Sequence, residues 1–187
     1  MRALGVDPVD DTRATFRALC EAMSRPGTIQ QAPTDPADHA VVATLVDHEV
    51  SLYTVDTDLR ETLLSQGRLE DAEPTAADIV HTHGAPTWNV ADLTRGSLVE
   101  PSEGATVIYR VDGLAAEATA DGADDLTTVT LSGPGVPGTR TVSIGLPAEE
   151  LDALAAAQST YPRGVDAIFT TEDRLIAVPR SVSMEVA

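Results

Sequence analysis

Apolar positions with helical spacing first appear between residues 12 and 24. The side chains that follow the i, i+3, i+4, i+7 rule there are Phe16, Leu19, Cys20 and Met23. This spacing predicts an amphipathic helix with a buried stripe, and Asp10 or Asp11 can cap its start. Four more helices are predicted where a capping residue, a proline or a final glycine brackets an apolar stretch. They cover residues 36–47, 57–65, 88–94 and 147–158.

Alternating apolar residues predict strands in the rest of the chain. Seven such stretches cover residues 49–55, 77–82, 106–111, 126–131, 139–144, 165–170 and 175–178. The last four form two pairs separated by turn-forming residues, which predicts two hairpins. Early helices and strands alternate, so we predict one α/β domain over residues 1–187, with a mixed sheet and helices on its faces. The acidic residues 112–125 are predicted to form an exposed loop.

The first predicted helix ends abruptly at Ser24-Arg25-Pro26-Gly27. Arg25 precedes a proline, which disfavours helical backbone angles at that position. Pro26 and Gly27 suit the two central positions of a type II turn. The sequence therefore predicts a helix stop here and leaves open whether Arg25 also faces a ligand or a partner.

The chain is strongly acidic. It carries 30 acidic residues against 12 basic ones, all of them arginine, and its formal net charge is −18. Such a surface repels nucleic acids and anionic membranes, so neither is an expected partner. Concentrated salt screens the self-repulsion of such a surface, which indicates a halophilic source. A GC-rich genome is the alternative, and it explains the missing lysine but not the excess of aspartate.

Composition also indicates the cellular compartment and excludes some catalytic mechanisms. The chain has no long apolar run, no signal-peptide pattern and a single cysteine, so we expect a cytoplasmic protein. The absence of lysine excludes an internal aldimine with pyridoxal phosphate, a Walker A lysine and a lysine general base. Cys20 lies on the apolar helix stripe, which favours a buried packing residue over a nucleophile.

Two motifs have both a functional and a structural interpretation. Residues 133–138 match G-x-G-x-x-G, but a strand-like segment follows and two prolines remove N–H donors, so we expect a hairpin loop rather than a dinucleotide site. His81 and His83 share one strand face and could bind a metal with His48 or Asp47. Because no third ligand is fixed by the sequence, we expect hydrogen-bonded polar residues and no metal.

Three arginines lie beside proline or glycine in turn-like places: Arg25, Arg163 and Arg180. An arginine held by a rigid turn can clamp an anion or a carboxylate, so these three are the candidate contacts to a substrate or partner. The simpler interpretation is a surface salt bridge with one of the many acids.

Several stretches carry a family resemblance. They are "FRALCEAMSRPGTI", "TLVDHEVSLY", "IVHTHGAP", "ADLTRGSLVEPSEGATVIYRV", "LSGPGV" and "YPRGVDAIFTTEDRLIAVPRSVSMEV". Together, in this order and over nearly the whole chain, they resemble the H subunit of the carbon–phosphorus lyase system, the PhnH family. The resemblance implies a single-domain α/β/α sandwich, similar to a reduced large domain of pyridoxal-phosphate-dependent transferases but without the cofactor. The missing lysine agrees with that absence.

The resemblance also implies a role in the catabolism of organic phosphonates. Members of the family join the G, I and J subunits in a core complex and can form homodimers. With the G, I and L proteins they support the synthesis of α-D-ribose 1-methylphosphonate 5-triphosphate from ATP and methylphosphonate. No catalytic residue is carried over, and activity of the subunit alone is left open. The alternative is a self-contained enzyme or binder with an anion pocket at Arg25, Arg163 and Arg180.

Overall fold

A computed structural model describes residues 4–116 and 126–187. Its four α-helices are α1 (Asp10–Ser24), α2 (Ala37–Leu45), α3 (Thr57–Ser65) and α4 (Ala148–Gln158). Short 3₁₀ helices cover Pro74–Ala76, Val90–Asp92 and Pro101–Glu103. The strands are β1 (Gln30–Gln31), β2 (Ser51–Thr54), β3 (Glu70–Asp71), β4 (Ile79–His83), β5 (Thr106–Arg110), β6 (Leu114–Ala116), β7 (Thr127–Gly133), β8 (Val136–Ile144), β9 (Asp166–Thr170), β10 (Arg174–Val178) and β11 (Ser183–Val186).

Two sheets organise these strands. The larger sheet has the order β1-β10-β9-β5-β4-β2-β3, and the second has the order β11-β7-β8-β6. In the larger sheet β2, β3, β4, β5 and β9 run parallel, whereas β10 is antiparallel to both β9 and β1. The second sheet is antiparallel throughout. The carboxyl ends of β2, β4, β5 and β9 therefore meet at one edge of the larger sheet.

The larger sheet separates two apolar cores. On one face Leu52, Ile79, Ile108 and Leu175 pack with residues of α1, α2 and α3. The side chains of the opposite face pack with α4 and with the second sheet; they include Val80, Val107, Tyr109, Phe169 and Ile176. Alternate residues of each strand thus enter different cores, as expected for strands buried on both faces.

The structure confirms a mixed α/β fold with a mixed sheet and both predicted hairpins, β7–β8 and β9–β10. Beyond the β7–β8 hairpin the second sheet was not predicted, because neither β6 nor β11 was expected to be a strand and β11 pairs with β7, which is distant in sequence. Within 88–94 only Val90–Asp92 is helical, as a 3₁₀ turn. The predicted loop at 112–125 is wrong at Leu114–Ala116, which form β6, and residues 117–125 lie outside the described part.

The prediction of which face of α1 is buried was wrong: the helix is rotated about its axis relative to the predicted orientation. The buried positions are Thr15, Leu19 and Ala22, whereas Phe16 is 57% exposed and Cys20 is exposed. Small side chains at 15 and 22 allow α1 to lie close to α2 and β10, its main neighbours. The apolar spacing located the helix but not the face that it buries.

The starts of two helices also differ from prediction. The α1 N-terminus is held by Asp7, whose Oδ1 accepts from the backbone N–H groups of Val9 and Asp10 at 2.9 Å. Asp11 bonds back to the backbone N–H of Asp7 instead of capping its own helix. At α2 the N-cap residue is Pro36, and no side chain caps that helix.

The corner after α1 is a type II turn, as predicted. The N–H of Thr28 donates to the carbonyl of Arg25 at 3.1 Å, and Gly27 has φ of 76°. A Cβ at Gly27 would lie 2.7 Å from Leu131 Cδ1, so the turn packs closely on the second sheet. The corner is therefore both a helix stop and a docking point between α1 and β7.

No helix within residues 4–116 and 126–187 combines the length and apolar character that a membrane crossing requires.

Candidate functional site

Polar side chains collect at the carboxyl edge of the larger sheet. Thr54 is the last residue of β2, His81 and His83 lie at the end of β4, and Arg110 ends β5. Facing them is Asp38, the second residue of α2. The carboxyl ends of parallel strands are where α/β proteins commonly bind ligands, so this edge is the first place to search for a site.

Asp38 is the centre of the arrangement. Its side chain is fully buried, and its Oδ2 lies 3.0 Å from Nε2 of the equally buried His81. Its other oxygen, Oδ1, has no hydrogen-bond partner among the described residues. A buried carboxylate with one unsatisfied oxygen is costly, because water no longer solvates it.

A second carboxylate and two further imidazoles surround this pair. His83 Nε2 lies 3.7 Å from Oδ2 of Asp38 and 3.7 Å from Oδ2 of Asp56. Asp56 Oδ2 is also 2.9 Å from His39 Nε2, and its Oδ1 accepts from the N–H of Leu59 at the start of α3. We call the group Asp38, His39, Asp56, His81 and His83 the His81 cluster.

The orientation of His81 is fixed from both sides of its ring. Its Nδ1 lies 2.8 Å from the hydroxyl oxygen of Thr54, which also accepts from the N–H of Asp56 at 3.1 Å. The ring of His83 meets that of His81 edge-on, with centroids 5.2 Å apart. His83 keeps 42% of its side chain exposed, so the cluster reaches solvent through this residue.

Charge in the cluster comes from two carboxylates and one nearby guanidinium. Arg110 Nη1 lies 4.0 Å from Asp38 Oδ2, too far for a hydrogen bond but close enough for electrostatic attraction. Burial raises the pKa of Asp38, but the hydrogen bond and charge of His81, with His39 and Arg110, outweigh it and hold that pKa below its ordinary value. Asp38 is therefore a carboxylate at neutral pH.

The pKa values of the neighbouring Asp56 and His83 are also lowered. Burial raises the pKa of Asp56, but the Leu59 N–H and His39 lower it further, so the pKa ends below its usual value. Burial lowers the pKa of His83, as does its neighbour His81, and the two carboxylates only partly oppose this. At neutral pH the cluster thus combines two carboxylates with an uncharged His83 whose ring nitrogens can act as ligands or hydrogen-bond partners.

Only part of the predicted histidine arrangement is present. His81 and His83 do share one face, and a carboxylate lies beside them, but it is Asp38 rather than Asp47 or His48. His48 is exposed and lies 3.9 Å from Glu49. The loop after α2 carries residues 47 and 48 away from the strand ends, whereas the first turn of α2 points at them.

The three candidate arginines have separate surroundings. Arg25 is 66% exposed and pairs with Glu21 of its own helix at 2.7 Å. Arg163 is exposed in the turn before β9. Arg180 lies after β10 and is largely buried. No hydrogen bond or ion pair joins any two of them within the described part of the chain.

Arg180 uses its guanidinium to connect segments of its own chain. Nε and Nη2 donate to Asp166 Oδ2 at 3.1 and 2.5 Å, Nη2 also donates to the carbonyl of Gly104 at 3.0 Å, and Nη1 donates to the carbonyl of Pro101. Asp166 Oδ1 accepts from the Arg180 N–H at 2.8 Å. We call these four residues the Arg180 cluster.

Sequence reasoning missed Asp38, Asp56, His39 and Arg110. Three of them had a local signal: Asp38 lies in the first turn of a predicted helix, and Asp56 directly precedes another. Arg110 interrupts an apolar strand at its end. What the sequence alone did not supply was the parallel order β2-β4-β5 that brings these positions together.

Comparison with known proteins agrees with the resemblance described above. The family described as "Bacterial phosphonate metabolism protein (PhnH)" matches residues 5–185. A protein of Rhizobium meliloti (strain 1021), named alpha-D-ribose 1-methylphosphonate 5-triphosphate synthase subunit PhnH, is 26% identical over 206 aligned positions that cover 96% of this chain and 92% of the relative. Because the family match spans nearly the whole chain, including every residue of both clusters, the chain belongs to the PhnH family of bacterial phosphonate metabolism proteins.

Proposed function

We propose that this chain is the H subunit of an α-D-ribose 1-methylphosphonate 5-triphosphate synthase and acts within the carbon–phosphorus lyase core complex. The observation that carries the proposal is the family match over residues 5–185, together with a relative of nearly equal extent whose name states that role. In this role the chain supports the transfer of a methylphosphonate to the ribose of ATP, with the G, I and L proteins.

Charge supports a role as a fitted part of an assembly. ATP and methylphosphonate are both anions, and a chain of net charge −18 repels them at long range. Even the cleft of about 400 Å³ that Arg110 and Arg174 line contains the acids Asp112, Glu172 and Asp173. The proposal therefore assigns the strong binding of both substrates to the companion subunits.

Exposed apolar side chains offer surfaces for those companions. Among the described residues, the most exposed large ones are Val9, Phe16, Leu98, Val99 and Tyr161, and Val99 is 90% exposed. Such residues are typical of protein–protein contact sites when they cluster. In our proposal the G, I and J subunits are the partners, and a homodimer of this chain is the alternative occupant of the same kind of surface.

Arg25 and Arg163 remain the arginines that we propose for contact with a substrate or partner, because both are exposed. Arg180 belongs to the original set, but its donors already serve the Arg180 cluster. The self-contained enzyme with an arginine-lined pocket is the second hypothesis. It requires that the isolated chain bind ATP or methylphosphonate, and that Arg→Ala at these positions abolish the binding.

Reconstitution tests the proposed function. The G, I and L proteins are supplied with ATP and methylphosphonate, with or without this chain, and release of adenine is measured. We expect no turnover by the chain alone and turnover by the mixture that is lost when the chain is left out. Undiminished turnover without the chain, or adenine release by the chain alone, would contradict the assembly role.

We also propose a halophilic source, which the acidic composition supports, and a cytoplasmic location, which the single cysteine supports. Screening by about 1 M salt reduces the Debye length to about 3 Å and removes most repulsion between surface carboxylates. We therefore expect the thermal midpoint to rise by several degrees between dilute buffer and multimolar KCl. Equal midpoints in both solutions would favour codon usage as the origin of the composition.

The proposed likeness of the fold to a reduced large domain of pyridoxal-phosphate-dependent transferases comes from the family resemblance. The parallel centre of the larger sheet, covered by helices on one face and by α4 with the second sheet on the other, is compatible with that proposal.

A further inference from the structure

The polar edge of the larger sheet contains a group of possible metal-ligand atoms whose hydrogen bonds leave some of their bonding capacity free. One donor atom each from Asp38, His81 and His83 lies within 4.8 Å of the other two. Two of the separations to Asp38 Oδ2 are known: 3.0 Å from His81 Nε2 and 3.7 Å from His83 Nε2. Ligands of a tetrahedral zinc ion are separated by about 3.4 Å, since each lies about 2.0–2.1 Å from the metal. The cluster is thus close to the size of a zinc site.

A simple hydrogen bond between Asp38 and His81 does not account for the whole arrangement of these atoms. It accounts for the 3.0 Å contact, but Asp38 Oδ1 stays buried without a partner in the described chain. His83 Nε2 lies 3.7 Å from both carboxylates, which is beyond hydrogen-bond distance. A divalent cation in place of the proton would bind His81, His83 and the carboxylate at once and would neutralise the buried charge.

The surroundings of the three donors resemble the outer shell of a metal site. A metal-binding histidine usually has its second ring nitrogen held by a hydrogen bond, which fixes the ring orientation. The Thr54 hydroxyl lies 2.8 Å from His81 Nδ1 in that position. Asp56, paired with His39 and with the start of α3, lies 3.7 Å from His83 Nε2, where its carboxylate could accept a hydrogen bond from a metal-bound water.

We propose that Asp38, His81 and His83 form a binding site for a divalent transition metal, of which Zn²⁺ is the best match, with Thr54 and Asp56 as outer partners. Two imidazole nitrogens and one carboxylate oxygen are ligands that zinc accepts readily. Three protein ligands leave a fourth position open, and His83 is the exposed member. This site revises the expectation of no metal, and it does not depend on the proposed role in phosphonate metabolism.

Arg110 gives the proposal an unusual test. Its guanidinium lies 4.0 Å from Asp38 Oδ2 and so competes with any cation for the same carboxylate. Removing that charge should strengthen metal binding, whereas removing a ligand should weaken it. A purely structural Asp–His pair predicts neither effect.

The test measures zinc binding by the full chain without an affinity tag, in a Cys20→Ser background because Cys20 is an exposed thiol. Equilibrium dialysis against Zn²⁺ gives affinity and stoichiometry, and Co²⁺ absorption reports the coordination number. We expect one ion per chain and a four-coordinate Co²⁺ spectrum. Zinc binding that is no tighter in the parent chain than in its His83→Ala variant would overturn the site.

Four variants separate the site from adventitious binding. Loss of an outer partner typically lowers metal affinity about 10–100-fold, so Thr54→Val should cost about tenfold and His83→Ala more than about 100-fold. Arg110→Gln should raise affinity about fivefold, and a decrease would contradict Asp38 as a ligand. His48→Ala, at an exposed histidine outside the cluster, should change nothing, and a loss there equal to that of His83→Ala would also refute the site.

Folding is controlled by comparing the circular dichroism and metal-free thermal midpoints of all variants. If His83→Ala does not fold, His83→Gln replaces it. The affinity change expected for Arg110→Gln can be measured in either case. Because the readout is metal affinity, a negative reconstitution of synthase activity leaves this result unaffected, and the reverse also holds.

Discussion

The Arg180 cluster and the His81 cluster are both largely buried groups of charged residues on the larger sheet. They differ in how completely their polar atoms are paired by hydrogen bonds. In the Arg180 cluster, Asp166 and two carbonyls accept from one guanidinium, and both oxygens of Asp166 have donors. In the His81 cluster, one oxygen of Asp38 has no partner within the described chain, and His83 Nε2 lies 3.7 Å from the carboxylates of Asp38 and Asp56.

This difference indicates different roles. The Arg180 guanidinium uses four of its five N–H donors within its own chain, so it has little left to offer a ligand. Its value is to connect the segment before β5 with the start of β9 and the end of β10. A buried carboxylate with an unused oxygen, beside a half-exposed imidazole, still has ligand capacity. The type of residue alone does not distinguish these cases, since arginine was the expected ligand group and histidine was the expected structural one.

The largest expected effect is the loss of the Arg180 guanidinium. Arg180→Ala leaves Asp166 and two carbonyls without their donor in a mostly buried place, which should lower the free energy of unfolding by about 3 kcal/mol. Urea denaturation measures it. Arg163→Ala, at an exposed arginine, is the matched control and should stay within about 0.5 kcal/mol. Equal effects of the two changes would remove the structural role assigned to Arg180.

The next effect is stabilisation by zinc. A ligand present at about 100 times its dissociation constant adds about 2.7 kcal/mol, which for a chain of this size raises the thermal midpoint by about 5–10 °C. Differential scanning calorimetry of the Cys20→Ser chain with and without Zn²⁺ should show this rise, and His83→Ala should lose it. A rise of the same size in the variant would mean that zinc binds elsewhere.

The contact between the buried Tyr109 and the half-buried Glu150 is intermediate between the two clusters. Tyr109 O–H donates to Glu150 Oε1 at 2.6 Å, and burial of Glu150 raises its pKa more than this hydrogen bond lowers it. Because the folded pKa lies above the unfolded one, the contribution of Glu150 to stability is full below its unfolded pKa. It is lost as the pH rises through the folded pKa.

Stability as a function of pH, measured for the parent chain and for Glu150→Gln, checks this sign. The parent should lose stability relative to the variant over the range in which the pH rises above the ordinary glutamate pKa of about 4.3, since glutamine cannot ionise. Parallel curves over that range would show that Glu150 titrates normally in the folded state.

The smallest expected effect concerns Cys20. Because this thiol is exposed on α1, Cys20→Ser should change the unfolding free energy by less than about 0.5 kcal/mol, and Ellman's reagent should label it in the folded chain. A loss of more than about 1 kcal/mol, or a thiol protected until unfolding, would restore the original prediction of a packed residue.

Local sequence signals predicted the fold elements well. The bounds of α3 match the predicted 57–65, and both hairpins form where turn residues separate alternating strands. The type II turn at Pro26-Gly27 follows from the restrictions that proline and glycine place on backbone angles. The buried face of α1 did not follow, because neighbouring elements choose it and Thr15 packs inside while Phe16 stays out.

The candidate site could be predicted from the sequence less completely than the fold elements. His81 and His83 attracted notice through their spacing, but the carboxylate that completes the set comes from α2, 43 residues from His81. Only the parallel pairing of β4 with β2 and β5 places Asp38, Thr54 and Arg110 around the two rings. Such long-range order has no local signature.

X-ray absorption of the zinc-loaded Cys20→Ser chain tests the central claim most directly, because it reports the ligands themselves. We predict two imidazole nitrogens and oxygen donors at about 2.0–2.1 Å in four-fold coordination, with one imidazole lost in His83→Ala. A spectrum with no imidazole scattering, or six oxygen ligands only, would show that the His81 cluster is a structural pair and not a metal site.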